Sequence, residues 1–301
     1  MRIITIGETT YDIRFREGNP TGSAVGGSQL NSAVSLGRCR LPVLFVTSVG
    51  NDTIGNHSVG FLQENGVDTT AVSRFDGNSR IALAFTNEQG DAQYAIYPAT
   101  KSVAPHYPVP QPNDIVLFGS SFALKGEGRS ELLAFLISAK ACGATVIYDP
   151  NIRQDLRNDL QKMKWLEQNL ALATIVKGSS DDFQLIGTFS NDEAVYRWVK
   201  RFGARILLIT KGAEGASLLS DKICFSLPAI ETEVVNTIGA GDNFSAGVIY
   251  ALAQYVEKKD FDIQRFTEKE WKPVIENGLR FAGHVCTQEK SYISIDFASV
   301  V

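Results

Sequence analysis

The sequence has little that would serve metal coordination or redox chemistry. It contains only 4 cysteines and 3 histidines in 301 residues. The cysteines, Cys39, Cys142, Cys224 and Cys286, are far apart in the sequence, without any C-x-x-C pair. Zinc sites and redox pairs use closely spaced ligands. This spacing therefore disfavours both, and we expect four reduced, mostly buried thiols.

A surplus of positive charge and a long apolar run are also missing. Lys and Arg number 29 against 33 Asp and Glu, for a net charge of −4, which argues against binding to nucleic acid phosphates. No apolar run approaches the roughly 20 residues that span a bilayer. The N-terminal apolar stretch is broken at Gly7 and Glu8, too soon for a signal peptide. We expect a cytoplasmic protein without nucleic acid or membrane partners.

The chain instead has the composition of an ordinary globular protein, with 44% hydrophobic and 21% charged residues. Short apolar strands alternate with helical patterns along most of its length. The predicted strands are residues 2–7, 44–50, 115–118, 145–148, 174–176 and 205–209, and the predicted helices are 29–36, 55–65, 129–142, 160–171, 191–202, 240–256 and 264–288. Strands that are apolar on both faces indicate a mostly parallel sheet covered by helices on both sides.

A different pattern appears in four short β-like stretches. They are residues 11–16, 70–75, 80–86 and 93–97, and the polar segments 76–78 and 87–91 between them read as hairpin turns. Residues 22–27 read as a glycine-rich break. This pattern predicts a small antiparallel sheet that stands off the main body.

The strongest chemical signal is the turn formed by Gly239, Ala240 and Gly241 at the start of a predicted helix. Such a turn leaves backbone N–H groups free to bind a phosphate or another anion. A carboxylate at Asp242 would repel a phosphate, but it suits a general base that takes a proton from an attacking hydroxyl. The alternative is an aspartate that only caps the helix, with glycines chosen for close packing.

Two segments resemble the signatures of the ribokinase-like (PfkB) family of carbohydrate kinases. Residues 237–247, TIGAGDNFSAG, resemble the second signature, and residues 26–33, GGSQLNSA, resemble the first. The resemblance covers essentially the whole chain. It implies a three-layer α/β/α sandwich with a mostly parallel central sheet and a small antiparallel β lid. It also implies a single domain over 1–301, with the lid built from about 10–20 and 70–100.

The resemblance assigns roles to residues on the sugar side of the site. It makes Asp242 the catalytic base, and it makes the backbone of Gly239, Ala240 and Gly241 an anion hole for the transferring phosphoryl group. The residues implied to contact the sugar are Asp12, Gly26, Gly27 and Asn31. For Asp12 the alternative is a solvated charge at a strand end.

On the nucleotide side, the resemblance implies ATP and Mg²⁺ as cofactors. Thr210, Gly212 and Gly215 match the family's T-x-G-x-x-G loop, for which the alternative is a plain glycine hairpin. The segment from Lys177 to Asp182 occupies the place of its N-x-x-E motif. Here Ser179 replaces Asn, and Asp182 replaces Glu and would act on Mg²⁺ through water. The alternative here is an ordinary helix cap.

Two departures from the family pattern concern a monovalent cation and the C-terminal helix. Asn236 stands where the family often has an aspartate that helps to bind this cation, so potassium activation is in doubt. Residues 282–292 lack the family's common Gly-Ala after the helix. This weakens any assignment of adenine or cation contacts there.

The substrate prediction depends on residues 149–153, DPNIR, which are similar to the fructokinase and 2-keto-3-deoxygluconate kinase branch. Arg153 would contact substrate or phosphates, unless it is a surface salt-bridge residue. The predicted reaction is ATP-dependent phosphorylation of a terminal hydroxymethyl, with fructose preferred and a keto-deoxy sugar acid or another sugar as the alternative. A catalytically silent sugar sensor is the non-enzyme alternative. Lids of this family often pair, so a homodimer through the lid is retained as a hypothesis.

Overall fold

A computed structural model describes residues 1–86, 92–101, 103–256 and 261–301. The strands within these residues are β1 (Ile3–Ile6), β2 (Thr10–Arg16), β3 (Asn19–Gly26), β4 (Val43–Gly50), β5 (Val67–Asp68), β6 (Val72–Phe75), β7 (Ile81–Thr86), β8 (Ala92–Tyr97), β9 (Ile115–Gly119), β10 (Thr145–Asp149), β11 (Ile175–Ser179), β12 (Ile206–Thr210), β13 (Ala216–Ser220) and β14 (Cys224–Leu227).

Seven helices within the described residues follow the predicted order, with ends displaced by a few residues, and two short ones, at residues 180–186 and 295–298, were not predicted. They are α1 (Ser28–Arg38), α2 (Thr53–Glu64), α3 (Arg129–Cys142), α4 (Leu160–Leu172), α5 (Ser180–Ile186), α6 (Asp192–Lys200), α7 (Ala240–Val256), α8 (Glu268–Cys286) and α9 (Ile295–Ala298). None of the helices in the described part of the chain is long and apolar enough to cross a membrane.

The large sheet has the strand order β14-β13-β12-β11-β10-β9-β1-β4-β5, and β6 also pairs with β4. From β12 to β5 the neighbouring strands are parallel. Only β13 and β14 run antiparallel. The predicted mostly parallel sheet is confirmed, and its parallel strands all end at the same edge.

Helices cover both faces of this sheet and give the three layers that were predicted. Alternate residues of each strand enter separate cores: Ile3 faces α1, α7 and α8, whereas Ile4 faces α3, α4 and α6. Both residues are fully buried. The strands are therefore apolar at every position because each of their two faces meets a layer of helices.

The small separate sheet has the order β3-β2-β7-β8. Its outer pairings are antiparallel, but β2 and β7 at its centre run parallel. The β2–β3 hairpin turns at Glu17 and Gly18, with φ values of 50° and 77°. Positive φ at both turn residues matches the twist of a tight hairpin. This sheet is the lid.

The composition of the lid differs from the prediction at two segments. Residues 70–75 do not enter it, because they form β6, which pairs with β4 of the main sheet. The glycine-rich break at residues 22–27 instead forms most of β3, whose partner is β2. Glycines here signal close strand packing rather than a loop. The turn predicted at residues 87–91 lies outside the described residues.

Candidate active site

Residues of the candidate site lie where neighbouring parallel strands end. Asp149 is the last residue of β10, Ser179 of β11 and Thr210 of β12, and Ser179 and Thr210 are direct partners across the two strands. Ligands in α/β sheets bind at this carboxyl edge of the strands. The sheet thus brings residues from distant parts of the chain to one place.

The predicted anion-binding turn opens helix α7. Gly239 has a φ of 86°, and a Cβ there would lie 2.7 Å from Ser291 O, so only glycine fits this position. The Ala240 N–H donates to Thr237 O at 3.2 Å. The N–H groups of Gly241 and Asp242 have no acceptor in the described part of the chain. They are the donors available to an anion.

The Asp242 carboxylate is held by three neighbours from two distant segments. Ser28 Oγ donates to Oδ1 at 2.6 Å and Asn31 Nδ2 donates to Oδ2 at 2.8 Å. Asn151 Nδ2 lies 3.3 Å from Oδ1. Asp242 is only 7% exposed. Both carboxylate oxygens are therefore oriented at the start of α7, next to its free N–H groups, as a general base requires.

A buried ion pair lies directly behind this turn. Lys177 Nζ donates to Asp149 Oδ2 at 2.9 Å, and both side chains are at most 4% exposed. Burial raises the pKa of Asp149 to about 6 against the opposing charge of Lys177. Burial alone would lower the pKa of Lys177, but surrounding carboxylates, Asp149 foremost, raise it. A Cβ at Gly241 would lie 3.1 Å from Lys177 Nζ. Because position 241 is glycine, no side chain stands between the Lys177 ammonium group and the turn.

The predicted sugar contacts lie between β2 and the start of α1. Burial raises the pKa of Asp12 to about 6, opposed by the positive charge of Arg80 and Arg14. A Cβ at Gly26 would lie 2.5 Å from Asp12 Oδ2, so this glycine gives the carboxylate its space. Gly27 has a φ of 139°, and its Cβ would lie 2.2 Å from a backbone oxygen. Asp12 is half-buried, and its role as a sugar contact stays a prediction.

Ser179 and Asp182 form a helix cap, which was the alternative to a metal role. Ser179 Oγ accepts from Asp182 N at 3.0 Å, and Asp182 Oδ2 accepts from Ser179 N at 2.7 Å. Asp182 Oδ1 accepts from Ile152 N at 2.6 Å. One acceptor position remains on Oδ1, which suits a water of a hydrated Mg²⁺ but leaves little room for the metal itself. No group of three metal-ligating side chains occurs among the described residues.

The loop with Thr210, Gly212 and Gly215 connects β12 to β13. Lys211 N donates to Gly215 O at 2.8 Å. Gly212 and Gly215 have φ values of 57° and 93°, and a Cβ at Gly215 would lie 2.0 Å from Leu227 O. The loop is thus a hairpin whose turn requires glycine. It lies beside Ser179 at the edge predicted to bind the nucleotide.

Two predicted site residues make no contact with Asp242 or with the Lys177–Asp149 ion pair. Arg153 is exposed and has no hydrogen-bond or ion-pair partner within the described residues, so it is not the surface salt-bridge residue of the alternative. Asn236 Oδ1 accepts from Ile238 N at 3.0 Å, and its Nδ2 donates to Glu289 O at 3.3 Å. Residues 234–238, which precede Gly239, belong to no strand.

Four residues of the site were not predicted. Ser28 and Asn151 hold Asp242, and Asn151 Nδ2 also donates to Ser28 Oγ at 2.8 Å. Asp149 pairs with Lys177, and Ser245 Oγ lies 3.3 Å from Asp149 Oδ2. A signal existed for two of them, since the motif at residues 149–153 begins with Asp149 and contains Asn151, which has a φ of 42°. A non-glycine residue with positive φ often marks a functional position.

A cavity of about 220 Å³ opens between the lid and the ends of β1 and β4. Its lining includes the cations of Arg80, Lys101 and Lys125 and the carboxylates of Glu8 and Glu127. Glu8 forms ion pairs with both Arg80 and Lys125. Three cations against two carboxylates leave the lining with a surplus of positive charge.

The chain is similar in sequence to known kinases. The chain is 29% identical over 233 residues to a fructokinase of Rhizobium leguminosarum bv. trifolii, covering 75% of this chain and 71% of the relative. It is 27% identical over 261 residues to the aminoimidazole riboside kinase of Salmonella typhimurium, covering 84% and 81%.

A solved structure shows the same fold. The aminoimidazole riboside kinase from Salmonella enterica, complexed with aminoimidazole riboside and an ATP analog, superposes with a TM-score of 0.85 at 23% identity over 99% of each chain. The model of the pfkB family of carbohydrate kinases matches residues 2–297. Both predicted signatures lie inside this match, and the resemblance is confirmed. The chain therefore belongs to the pfkB family of carbohydrate kinases, which transfer a phosphoryl group to a sugar hydroxyl.

Proposed function

We propose that the chain is an ATP-dependent fructokinase in which Asp242 is the general base. The observation that carries this proposal is the oriented Asp242 carboxylate, held by Ser28 and Asn31 next to the free N–H groups of Gly241 and Asp242. A base and an anion site meet there, as phosphoryl transfer needs.

In the proposed reaction, Asp242 takes the proton of a terminal hydroxymethyl of the sugar. The oxygen then bonds to the γ-phosphorus, and the bond from that phosphorus to the β–γ bridging oxygen breaks, so ADP leaves with the electron pair. The Gly241 N–H and Lys177 Nζ would stabilise the charge on the transferring group. Bound Mg²⁺ would supply further neutralisation of the phosphate oxygens, with Asp182 orienting one of its waters.

Asn31 is suited to hold both the base and the sugar. Its Nδ2 donates to Asp242, while its Oδ1 is buried and has no hydrogen-bond partner. A buried acceptor without a partner is costly. A sugar hydroxyl that donates to Oδ1 would remove this cost, which supports the predicted sugar contact.

The variant Asp242→Asn tests the base directly. It keeps the size of the side chain but cannot accept the proton, so we expect kcat to fall by about 10²–10⁴-fold while the Kd for the sugar changes little. Steady-state kinetics and calorimetric sugar binding measure the two effects. Near-normal turnover in this variant would refute the assignment of the base.

A sugar acid is the second candidate substrate on the charge of the cavity beneath the lid, whose lining includes none of the residues predicted to contact the sugar. The Nε of Arg80 is buried and has no hydrogen-bond partner, and the lining carries more cations than carboxylates. A guanidinium with free N–H groups is the preferred partner of a carboxylate. A 2-keto-3-deoxygluconate molecule would offer that carboxylate, whereas fructose would not.

A coupled ADP-release assay across several acceptors decides between these substrates. The panel comprises fructose, 2-keto-3-deoxygluconate, ribose and aminoimidazole riboside, each compared by kcat/KM. The highest value for fructose supports the proposal, and the highest value for the sugar acid supports the second candidate. Sugar binding without ADP release from any acceptor would instead indicate the catalytically silent sensor.

A further inference from the structure

A buried asparagine ties the catalytic turn to the C-terminal segment. Asn243 is fully buried, and its Nδ2 donates to both Gly239 O and Ser291 O at 2.8 Å. Ser35 Oγ donates to its Oδ1 at 2.5 Å and itself accepts from Ile293 N at 3.1 Å. This pattern determines the orientation of the amide, because two carbonyls face one end and a hydroxyl donor faces the other.

A second asparagine, which lies before the start of α7, makes the same kind of link. Asn236 Nδ2 donates to Glu289 O at 3.3 Å, and its Oδ1 accepts from Ile238 N at 3.0 Å. We refer to Asn236 and Asn243 together as the amide clamp. The clamp places N–H donors against three carbonyls, those of Gly239, Glu289 and Ser291.

These residues do not fit a monovalent cation. Such an ion is held by several oxygens that face one point, and a carboxylate strengthens the site. Here the carbonyls of Gly239, Glu289 and Ser291 each face an amide nitrogen that donates to them. Position 236 offers an amide instead of a carboxylate, and its oxygen already accepts a hydrogen bond.

We infer that the amide clamp does the structural work of a monovalent cation, so that this kinase needs neither potassium nor sodium. The inference rests on the proposed phosphotransferase activity. Carbonyl oxygens behind the turn are satisfied either by hydrogen-bond donors or by a cation, and here the donors are amide N–H groups. The amide N–H groups are covalently part of the chain, so the turn that presents the Gly241 N–H keeps its shape at any ion concentration.

The wild-type protein provides the first test. Its activity and its thermal unfolding are measured in potassium chloride and in choline chloride at equal ionic strength. We expect kcat and kcat/KM to agree within twofold and the Tm to agree within about 1 °C, because an ion that does not bind the native state cannot stabilise it. Activation by potassium of fivefold or more, or a Tm several degrees higher in potassium, would overturn the inference.

The variant Asn236→Asp provides the second test. A carboxylate that faces Glu289 O is repelled unless a cation lies between them, so we expect a lower Tm in choline chloride that potassium restores. Asn277→Asp is the matched control, since Asn277 Nδ2 also donates to a backbone carbonyl, Pro273 O at 2.8 Å, but within α8. Its Tm should be the same in both salts.

An Asn236→Asp variant that responds to potassium no more than the control would also overturn the inference. The Tm comparison keeps this test separate from the proposed function. If no acceptor is phosphorylated in either salt, the proposed function fails, whereas unfolding still reports whether the clamp replaces a cation.

Discussion

At the scale of single residues, Asp12 is a lid carboxylate that titrates near neutrality. Burial raises its pKa to about 6 although Arg80 and Arg14 oppose the shift. Above this pH the side chain is ionised and accepts hydrogen bonds from hydroxyl groups. Below it, protonation turns one oxygen into a donor and removes the charge that strengthens these hydrogen bonds. The predicted sugar contact therefore carries its own pH dependence.

We predict that acidification weakens sugar binding through Asp12. Between pH 7.5 and pH 5 the KM for the sugar should rise by about tenfold with an apparent pKa near 6, because only about a tenth of the groups stay ionised one unit below the pKa. Steady-state kinetics at saturating ATP measures this change.

The variant Asp12→Asn separates this effect from the titration of Asp149, which also has a pKa of about 6. Its KM should be higher than that of the wild type at pH 7.5 and should stay constant down to pH 5. A KM that still rises on acidification in this variant would rule out Asp12 as the titrating sugar contact.

At the scale of helices, α7, which carries the proposed base Asp242, packs closely against α8. A Cβ at Gly247 would lie 2.3 Å from Asn277 O, and one at Gly278 would lie 2.8 Å from the Phe244 ring. The glycines let the two backbones approach each other. This packing anchors α7, which carries Asp242 and Asn243 in its first turn.

We predict that Gly247→Ala destabilises the protein through this contact. The added methyl group would force the helices apart and lower the free energy of unfolding by about 1–3 kcal/mol. Urea denaturation measures the change.

Gly60→Ala in α2 is the control, because a Cβ there meets nothing within 4 Å. It should raise the free energy of unfolding by about 0.5–1 kcal/mol through helix propensity. Equal effects of the two substitutions would contradict the assigned role of Gly247.

At the scale of the whole molecule, the lid exposes apolar side chains. Phe85, Ile96 and Tyr97 are 41%, 53% and 57% exposed, and Phe15 stacks on Phe85. Apolar groups that cluster on one element often mark an association surface. They support the hypothesis that two lids pair.

We predict a homodimer in solution that the substitution Ile96→Lys dissociates. Desolvating a lysine at an apolar interface is costly, so sedimentation should show a shift from dimer to monomer at micromolar concentration. Ile137→Lys is the control, since Ile137 is 56% exposed on α3, away from the lid. A wild-type monomer, or equal effects of both substitutions, would exclude pairing through the lid.

The order of helices and strands was predictable over most of the molecule because buried strands and amphipathic helices have distinct apolar patterns. The exceptions lie where pairing is not local. Residues 70–75 resembled the lid strands, yet β6 pairs with β4. The hairpin of β13 and β14 extends the sheet at one edge and has no apolar pattern of its own that indicates its partner.

The sequence by itself determined the family, because the two signature segments, residues 26–33 and 237–247, are each contiguous in the chain. Only the tertiary structure decided what surrounds Asp242. Ser28, Asn31 and Asn151 reach it across more than 90 residues of sequence, as the parallel strands end at one edge. The same holds for Asn243, whose role depends on carbonyls of another segment. Contacts between distant segments leave no periodic signal in the sequence, so the fold alone reveals them.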